Sequence, residues 1–474
     1  MSSENVTRLL ADYLAETKFQ DLPSEAVEST KAHILHTLGT IAAGSRAPGV
    51  EQVLTCVADW GAKEESTTLV FGRKLPAPAA ALMNATMAHC FHVDMKDDRR
   101  SYPTGVAAIP AALAVTEKLR DVSGEEFITA VCVGMELGVR VSLAIRTPRQ
   151  TATDVPKESQ GVVQTLGPLA AAASAGKLLK LDSNGMHNAI ALACRRAASQ
   201  GYTMGNAALN ETVGGGFAAE SGVQSALLST CNFTPPDDDP FQGRRGFFPS
   251  FYREEADFAR LMDGLGQRYE VICASPKPFP AHRGTHSALT GALSLLQKHK
   301  FKAEQVKEVR VYVEKPRKDL FEKEKHKRYR PPGLGDVQHS QPYLIAVLLM
   351  KGKLPLEDFS EEALHDEKTL QFAERVKVLH EPKFQLDEWP NVVKPNVVEV
   401  ELFDGTVYSE RVDHPKGHPE NPLTRAEYQA YFRELIGFSA RPLKEDNVEA
   451  AISLVAKMET SEDICSLCTL LVGS

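Results

Sequence analysis

Two kinds of hydrophobic periodicity divide this chain, and their order constrains the fold more than any other feature. From Val6 to Thr230 apolar residues recur at helical spacing, whereas past about residue 270 some runs alternate residue by residue. Val306-Lys-Glu-Val-Arg-Val-Tyr-Val-Glu314 alternates as a half-buried strand does. Val397–Phe403, the pair Asp404-Gly405 and Thr406–Val412 have the form of a β-hairpin. Between them Gln341–Lys351 and Leu370–Val378 read as helices. The first part reads as helices over Val6–Phe19, Ser24–Ala43, Pro48–Trp60, Pro76–Ala88, Pro110–Leu119, Ser123–Ile145, Val162–Leu181, Met186–Ser199 and Phe217–Thr230. Thr67–Gly72 reads as a short strand or extended loop. Thr147–Gln160 and the small-residue stretch Gly201–Gly216 read as loops, and Phe233–Phe248 as an exposed turn. Gly214-Gly215-Gly216 has no following Gly-Lys-Ser/Thr and no preceding strand, which argues against a phosphate-binding loop. After Pro415 the chain is helical again (Arg425–Gly437, Lys444–Lys457), and these helices are too amphipathic to stand alone. The fold class is mainly α: a large all-helical domain (1–267) with an inserted, smaller α+β lid domain (268–413). The C-terminal part (414–474) is expected to pack back on the first helices.

At 474 residues the chain exceeds one ordinary domain. Its net charge of −8 argues against a nucleic-acid partner, and means that an anionic substrate needs a local basic pocket. No apolar run reads as long enough to span a membrane, and Met1–Gln20 is mixed and polar, unlike a signal peptide. The eight cysteines are scattered without a disulfide framework, so a reducing, cytoplasmic location is expected. Cys465-x-x-Cys468 is the one close pair. With no second pair nearby, neither a structural metal nor an iron–sulfur cluster is expected.

The stretch that stands out chemically is Asn84–Gly105. It starts as a helix of small residues, with His89 and His92 three apart and so near one face. Five charged residues follow, Lys96 to Arg100, and then Tyr102-Pro103-Thr104-Gly105. Beyond Val106 the chain is apolar again. A dense polar segment between two buried helices is either a solvated loop or the lining of a cavity. The concentration of His, Asp and Arg at a helix end favours the cavity, where acid/base work is done.

Asn84-Ala-Thr-Met-Ala-His89, the acidic segment after it and Tyr102-Pro103-Thr104-Gly105 resemble the signature of the MmgE/PrpD family. That family includes 2-methylcitrate dehydratase, cis-aconitate decarboxylase and iminodisuccinate epimerase. Val163–Gly167, Gly216–Ala219, Asp238–Gly243, Lys277–His286, Asp336–Tyr343 and Pro415–Thr424 match further family segments in order, over nearly the whole chain. The resemblance implies a helical domain with an α+β lid, in a homodimer. It also exposes departures. Family members with decarboxylase or dehydratase activity carry Asp-Phe-Asp-Asp where this chain has His92-Val93-Asp94-Met95. A family His-Pro is Tyr102-Pro103 here, and an aromatic-His pair aligns with Lys157-Glu158. A Thr-Lys-Pro aligns with Asn210-Glu211-Thr212. Lys277, His282, Arg283 and His286 are retained.

The resemblance thus points to a lyase, a dehydratase or decarboxylase, acting on a citrate-like or alkylcitrate-like di- or tricarboxylate without a cofactor. An isomerase or epimerase, or a non-catalytic ligand-binding relative, is the alternative. The expected catalytic set is His92, Asp94, Tyr102, Glu158 and Glu211, with Tyr102 in place of a histidine acid. Lys96, Arg99, Arg100, Lys277, His282, Arg283 and His286 are expected to bind substrate carboxylates, which basic side chains hold by charge-assisted hydrogen bonds. Two extra glutamates near a polyanion would repel it, which points to a substrate with fewer charges or an apolar arm.

Overall fold

The computed structural model describes residues 5–61, 63–145, 162–198, 208–231, 238–252, 256–384 and 393–474. Its first half consists of helices α1 (Val6–Glu16), α2 (Ser24–Gly44), α3 (Val50–Asp59), α4 (Ala77–Ala88), α5 (Ala108–Leu119), α6 (Gly124–Ala144), α7 (Val162–Leu178), α8 (Ser183–Arg196) and α9 (Ala208–Ser229). Their starts carry side-chain caps that satisfy otherwise orphaned amides: Asn5 accepts from Arg8 N at 2.8 Å, Asp182 accepts from Gly185 N at 2.8 Å, and Ser123 forms a reciprocal box with Glu126.

Small residues let these helices approach one another closely. A Cβ built on Gly216 would lie 2.3 Å from Thr86 Oγ1 of α4, and one on Gly222 would lie 2.3 Å from Ala171 Cβ of α7. This corrects the reading of Gly201–Gly216 as a loop: α9 begins at Ala208, and the three glycines sit inside it because close packing requires them. Helix α6 corrects another expectation, since its 21 residues are long and apolar enough to cross a membrane. It runs through the core, where Glu136 pairs with Arg140 at 2.6 Å. The Arg140 guanidinium also donates to the carbonyls of Leu261, Asp263, Gly264 and Arg268. The expected exposed turn Phe233–Phe248 is an anchor where it is described. Asp239 is buried and accepts from Thr7 N, Thr7 Oγ1 and Phe241 N, beside the packed rings of Phe241, Phe247 and Phe248.

The helices Arg425–Gly437 and Glu445–Ala456 lie on the first helices, with Phe432 and Leu435 against Gly39 of α2. Val70 closes the arrangement by bonding to both Leu471 O and Gly473 N.

Nine short or regular strands complete the fold: β1 (Ser66–Thr67), β2 (Lys74–Leu75), β3 (Lys96–Asp97), β4 (Tyr102–Pro103), β5 (Ala274–Ser275), β6 (Val306–Val313), β7 (Val376–His380), β8 (Asn396–Leu402) and β9 (Val407–Val412), among the described residues. The last four form one sheet in the order β7-β6-β8-β9, with β6 parallel to β7 and antiparallel to β8. Alternate valines of β6 and β8 are buried beneath the helices His286–His299 and Gln341–Lys351, so the period-two pattern is the inner face of this layer. The expected helix Leu370–Val378 ends at Ala373. Val376 and Val378 turn inward on β7 instead, because β-branched residues at alternate positions suit a pleated, half-buried surface. A second sheet, β4-β3-β5, ties the polar stretch after α4 to the chain entering the α+β layer.

Candidate active site

Helix α4 ends at Ala88, and the chain then turns sharply. Phe91 (φ 61°) and His92 (φ 51°) both adopt the left-handed conformation without being glycine. Each such residue costs on the order of 1 kcal/mol or more and persists only where its surroundings fix it. Here His36 of α2 donates from Nε2 to Val93 O at 2.6 Å, and Lys277 Nζ donates to His92 O at 2.7 Å.

The turn feeds β3, whose register sorts the charged residues. Lys96 lies opposite Ser275 of β5, while Asp97 lies opposite Tyr102 of β4. Cross-strand partners share a face and successive residues do not, so Lys96 faces one way with Ser275, and Asp97 and Tyr102 face the other. On the first side lie Asp94 and Lys277, with Lys277 Nζ 3.4 Å from Asp94 Oδ1 and His89 Nδ1 3.9 Å from the same oxygen. Around them the α+β part brings His282 and His339, whose rings stack at 4.4 Å and 25°. His339 meets His92 edge-on at 5.8 Å. His282 is tied to the His339 loop through its own N–H, which donates to Gln338 O at 2.8 Å.

Burial and mutual repulsion set the protonation of this group. Burial raises the Asp94 carboxyl, but Lys277 and Lys96 outweigh it and bring it down to about 2, so it is ionised. Burial lowers Lys277 to about 7; Asp94 pulls it up while Lys96 pushes it down. Burial, then neighbouring cations and imidazoles, lower His92 and His282 well below their ordinary range, and burial with Arg328, Lys96 and Lys277 brings His339 to about 3. All three imidazoles are therefore neutral at pH 7. His282 Nδ1 accepts from Gly284 N at 3.2 Å, which leaves its proton on Nε2. Two buried atoms of the cluster, His92 Nδ1 and Asp94 Oδ2, have no hydrogen-bond partner among the described residues. Buried polar atoms normally have one, so an open carboxylate oxygen and an open imidazole nitrogen in one cluster mark a place for a ligand. Among the described residues no group of three or more His, Cys, Asp or Glu is placed to hold a metal ion.

The chain matches the MmgE/PrpD N-terminal domain over residues 8–259 and the MmgE/PrpD C-terminal domain over residues 279–460. It belongs to the MmgE/PrpD family. Cis-aconitate decarboxylase of Mus musculus is 26% identical over an alignment covering 100% of this chain and 94% of the relative. The enzyme of that name from Homo sapiens is likewise 26% identical, covering 100% and 96%. That of Aspergillus terreus is 24% identical, covering 99% and 96%.

Of the residues that family resemblance and sequence singled out, His92, Asp94, Lys96, Lys277 and His282 come together. Others do not. Tyr102, expected as the proton donor, is 1% exposed and packs its hydroxyl against Gly138 of α6, where burial pushes the phenol well above its usual range. Its register opposite Asp97 turns it into the helical core. Arg99, expected on substrate, pairs with Asp97 and Glu270 on that same far side. Arg100 lies beside Asp97, Arg99 and Arg260 and donates to Leu143 O. Arg283 is buried in a bidentate pair with Asp98 (Nε–Oδ1 and Nη2–Oδ2, both 2.9 Å), and Ser275 Oγ completes the set at 2.6 Å from Asp98 Oδ2. His286 spends Nδ1 on Arg283 and Nε2 on Ala281 O, both at 3.2 Å, so neither nitrogen is left for substrate. These two are a latch between the layers rather than a carboxylate pocket. Glu158 lies outside the described residues, as does the side chain of Glu211, whose backbone is in α9. His339 lies in the family-matching segment Asp336–Tyr343 and is a residue that the sequence does not single out. Its place between two other histidines had no signal in spacing, because 57 residues separate it from His282 and far more from His92.

Proposed function

We propose that this chain is a lyase acting on a citrate-like carboxylic acid, with decarboxylation as the favoured reaction, by side-chain acid/base chemistry. The observation that carries the reading is the enclosed Lys277–Asp94 pair, with a lysine that titrates near neutrality facing neutral imidazoles. A general acid or base works best when its pKa lies near the working pH. Family membership and the decarboxylase relatives supply the reaction class.

In a decarboxylation of this kind the bond from carbon to the departing carboxylate breaks and its electron pair enters the adjacent unsaturated carboxylate. Carbon dioxide leaves, and a proton is delivered to carbon. The developing negative charge is stabilised by ammonium and N–H donors already in place, in a site that excludes water. Lys277 is the proton donor in this reading, its ammonium form favoured by the Asp94 carboxylate and its proton regained from solvent after turnover, and His282 Nε2–H holds the oxyanion. If dehydration is the reaction instead, the same lysine protonates the leaving hydroxide.

Proton NMR of the purified protein in D₂O with cis-aconitate, 2-methylcitrate, a longer alkyl citrate and an unsaturated or hydroxylated dicarboxylate tests the proposal. Loss of carbon dioxide or water from one of them is the expected result. Deuterium exchange at an α-carbon with no loss of mass overturns the lyase in favour of an epimerase. No change in any spectrum, with and without a chelator, overturns both.

A further inference from the structure

The charges of this site are few and unevenly distributed. Arg99 is matched by Asp97 and Glu270, and Arg283 by Asp98. Lys277 is matched in part by Asp94. Lys96 is different. It is 9% exposed and has no carboxylate within salt-bridge distance among the described residues, yet its ammonium bears on Asp94, His92, Lys277, His282 and His339 together. A buried, unmatched ammonium is expensive to maintain unless something anionic takes it up. The rest of the cluster is the His282–His339 stack, itself neutral; Arg328, which bears on His339, is already paired with Glu324. Gln338 and Gln341, next to His339 in the chain, are each 95% or more buried, with an amide nitrogen that has no protein acceptor among the described residues.

We propose that Lys96 determines specificity here: it anchors one carboxylate of a substrate that carries two, and the imidazole–amide wall receives an uncharged, polar or unsaturated part of the molecule. Lys277 takes the second carboxylate. Among the described residues a third carboxylate would meet Asp94, or donors that carry no charge to offset its desolvation, with Arg328 already held by Glu324. This rests on the cluster being a carboxylate site, as proposed above, but not on which bond is broken there.

The test is calorimetric binding of tricarballylate, glutarate and butyrate, which carry three, two and one carboxylates on the same propane chain. Glutarate is expected to bind about tenfold or more tighter than the other two, and Lys96→Met to lose about tenfold or more of that affinity while Lys96→Arg keeps most of it. Methionine matches the length of the buried stem, so the melting temperature should hold or rise. Lys96→Gln serves as a second uncharged variant if it does not. Tricarballylate binding as tightly as glutarate, unchanged glutarate affinity in both uncharged variants, or no binding by any of the three overturns the proposal. Because binding is read without turnover, glutarate selectivity in a protein that releases neither carbon dioxide nor water sinks the lyase reading alone.

Discussion

Replacing Asp94 by asparagine should cost less stability than the burial of its partner implies. Removing one member of a buried ion pair ordinarily costs about 3–5 kcal/mol, because the other charge is stranded. Lys277 escapes this because it already titrates at about 7. At neutral pH it sheds its proton for roughly 0.5 kcal/mol, the free energy of emptying a half-filled proton site. From the aspartate's side, a carboxyl held at about 2 against an ordinary 3.8 contributes roughly 2.5 kcal/mol at pH 7. That contribution is present above pH 3.8 and is lost as pH falls through about 2. The loss in Asp94→Asn therefore lies between about 0.5 and 2.5 kcal/mol. The variant also changes the pH dependence. A lysine depressed from 10.5 to about 7 penalises the fold at low pH, and the penalty is relieved as pH rises between those two values, at up to about 1.4 kcal/mol per pH unit. Without Asp94 the folded pKa drops further, so the relief begins at a lower pH. Urea unfolding at a series of pH values measures both effects. A loss of about 4 kcal/mol or more at pH 7, with the pH dependence unchanged, would show that Lys277 keeps its proton, and the reasoning would fail.

Four further outcomes are expected. Tyr102→Phe should leave turnover within about twofold of the parent, since the hydroxyl faces Gly138 and not the Lys277 cluster, and steady-state kinetics decides this. Gly216→Ala should destabilise by about 1–3 kcal/mol or more, because the new methyl would sit 2.6 Å from Leu82 O, a backbone atom that cannot swing aside. Gly437→Ala, with nothing within 4 Å, should be neutral or stabilising by up to about 1 kcal/mol in the same denaturation assay. Arg283→Met should cost about 3–5 kcal/mol by stranding Asp98, and adding Asp98→Leu should recover part of that loss; two independent, additive losses would show that the pair is not coupled.

The parts of the fold that were legible in the sequence are those where one periodicity acts alone. Val306–Val313 and the Asp404-Gly405 hairpin alternate over their whole length, and α2 and α6 hold helical spacing for 21 residues each. Leu370–Val378 contains both patterns, which is why spacing alone carries the helix too far: Leu370 and Ala373 sit three apart, then Val376 and Val378 two apart. The glycines of α9 favour a turn by composition, and only the approach of α4 and α7 explains them in a helix.

The site was legible as a place but not as a geometry. A charged run between two apolar helices marks Asn84–Gly105, and the Lys277–His286 segment marks its counterpart. What the run alone does not specify is which of its residues face that counterpart, because the answer depends on a strand pairing with a partner some 180 residues away: Lys96 with Ser275 and Asp97 with Ala274. The side-chain period of a strand is two, so a slip of one residue exchanges the two faces. Slipped in that way, β3 would present Asp97 to Lys277 and turn Lys96 into the helical core beside Tyr102. The cluster would then hold a further carboxylate and lack the Lys96 ammonium that we propose as a carboxylate anchor. The latch formed by Asp98, Ser275 and Arg283 fixes this register: it satisfies a buried guanidinium only when Asp98 reaches Ser275, the residue opposite Lys96. The composition of the cluster therefore depends on three residues, Asp98, Ser275 and Arg283, whose side chains are spent on one another.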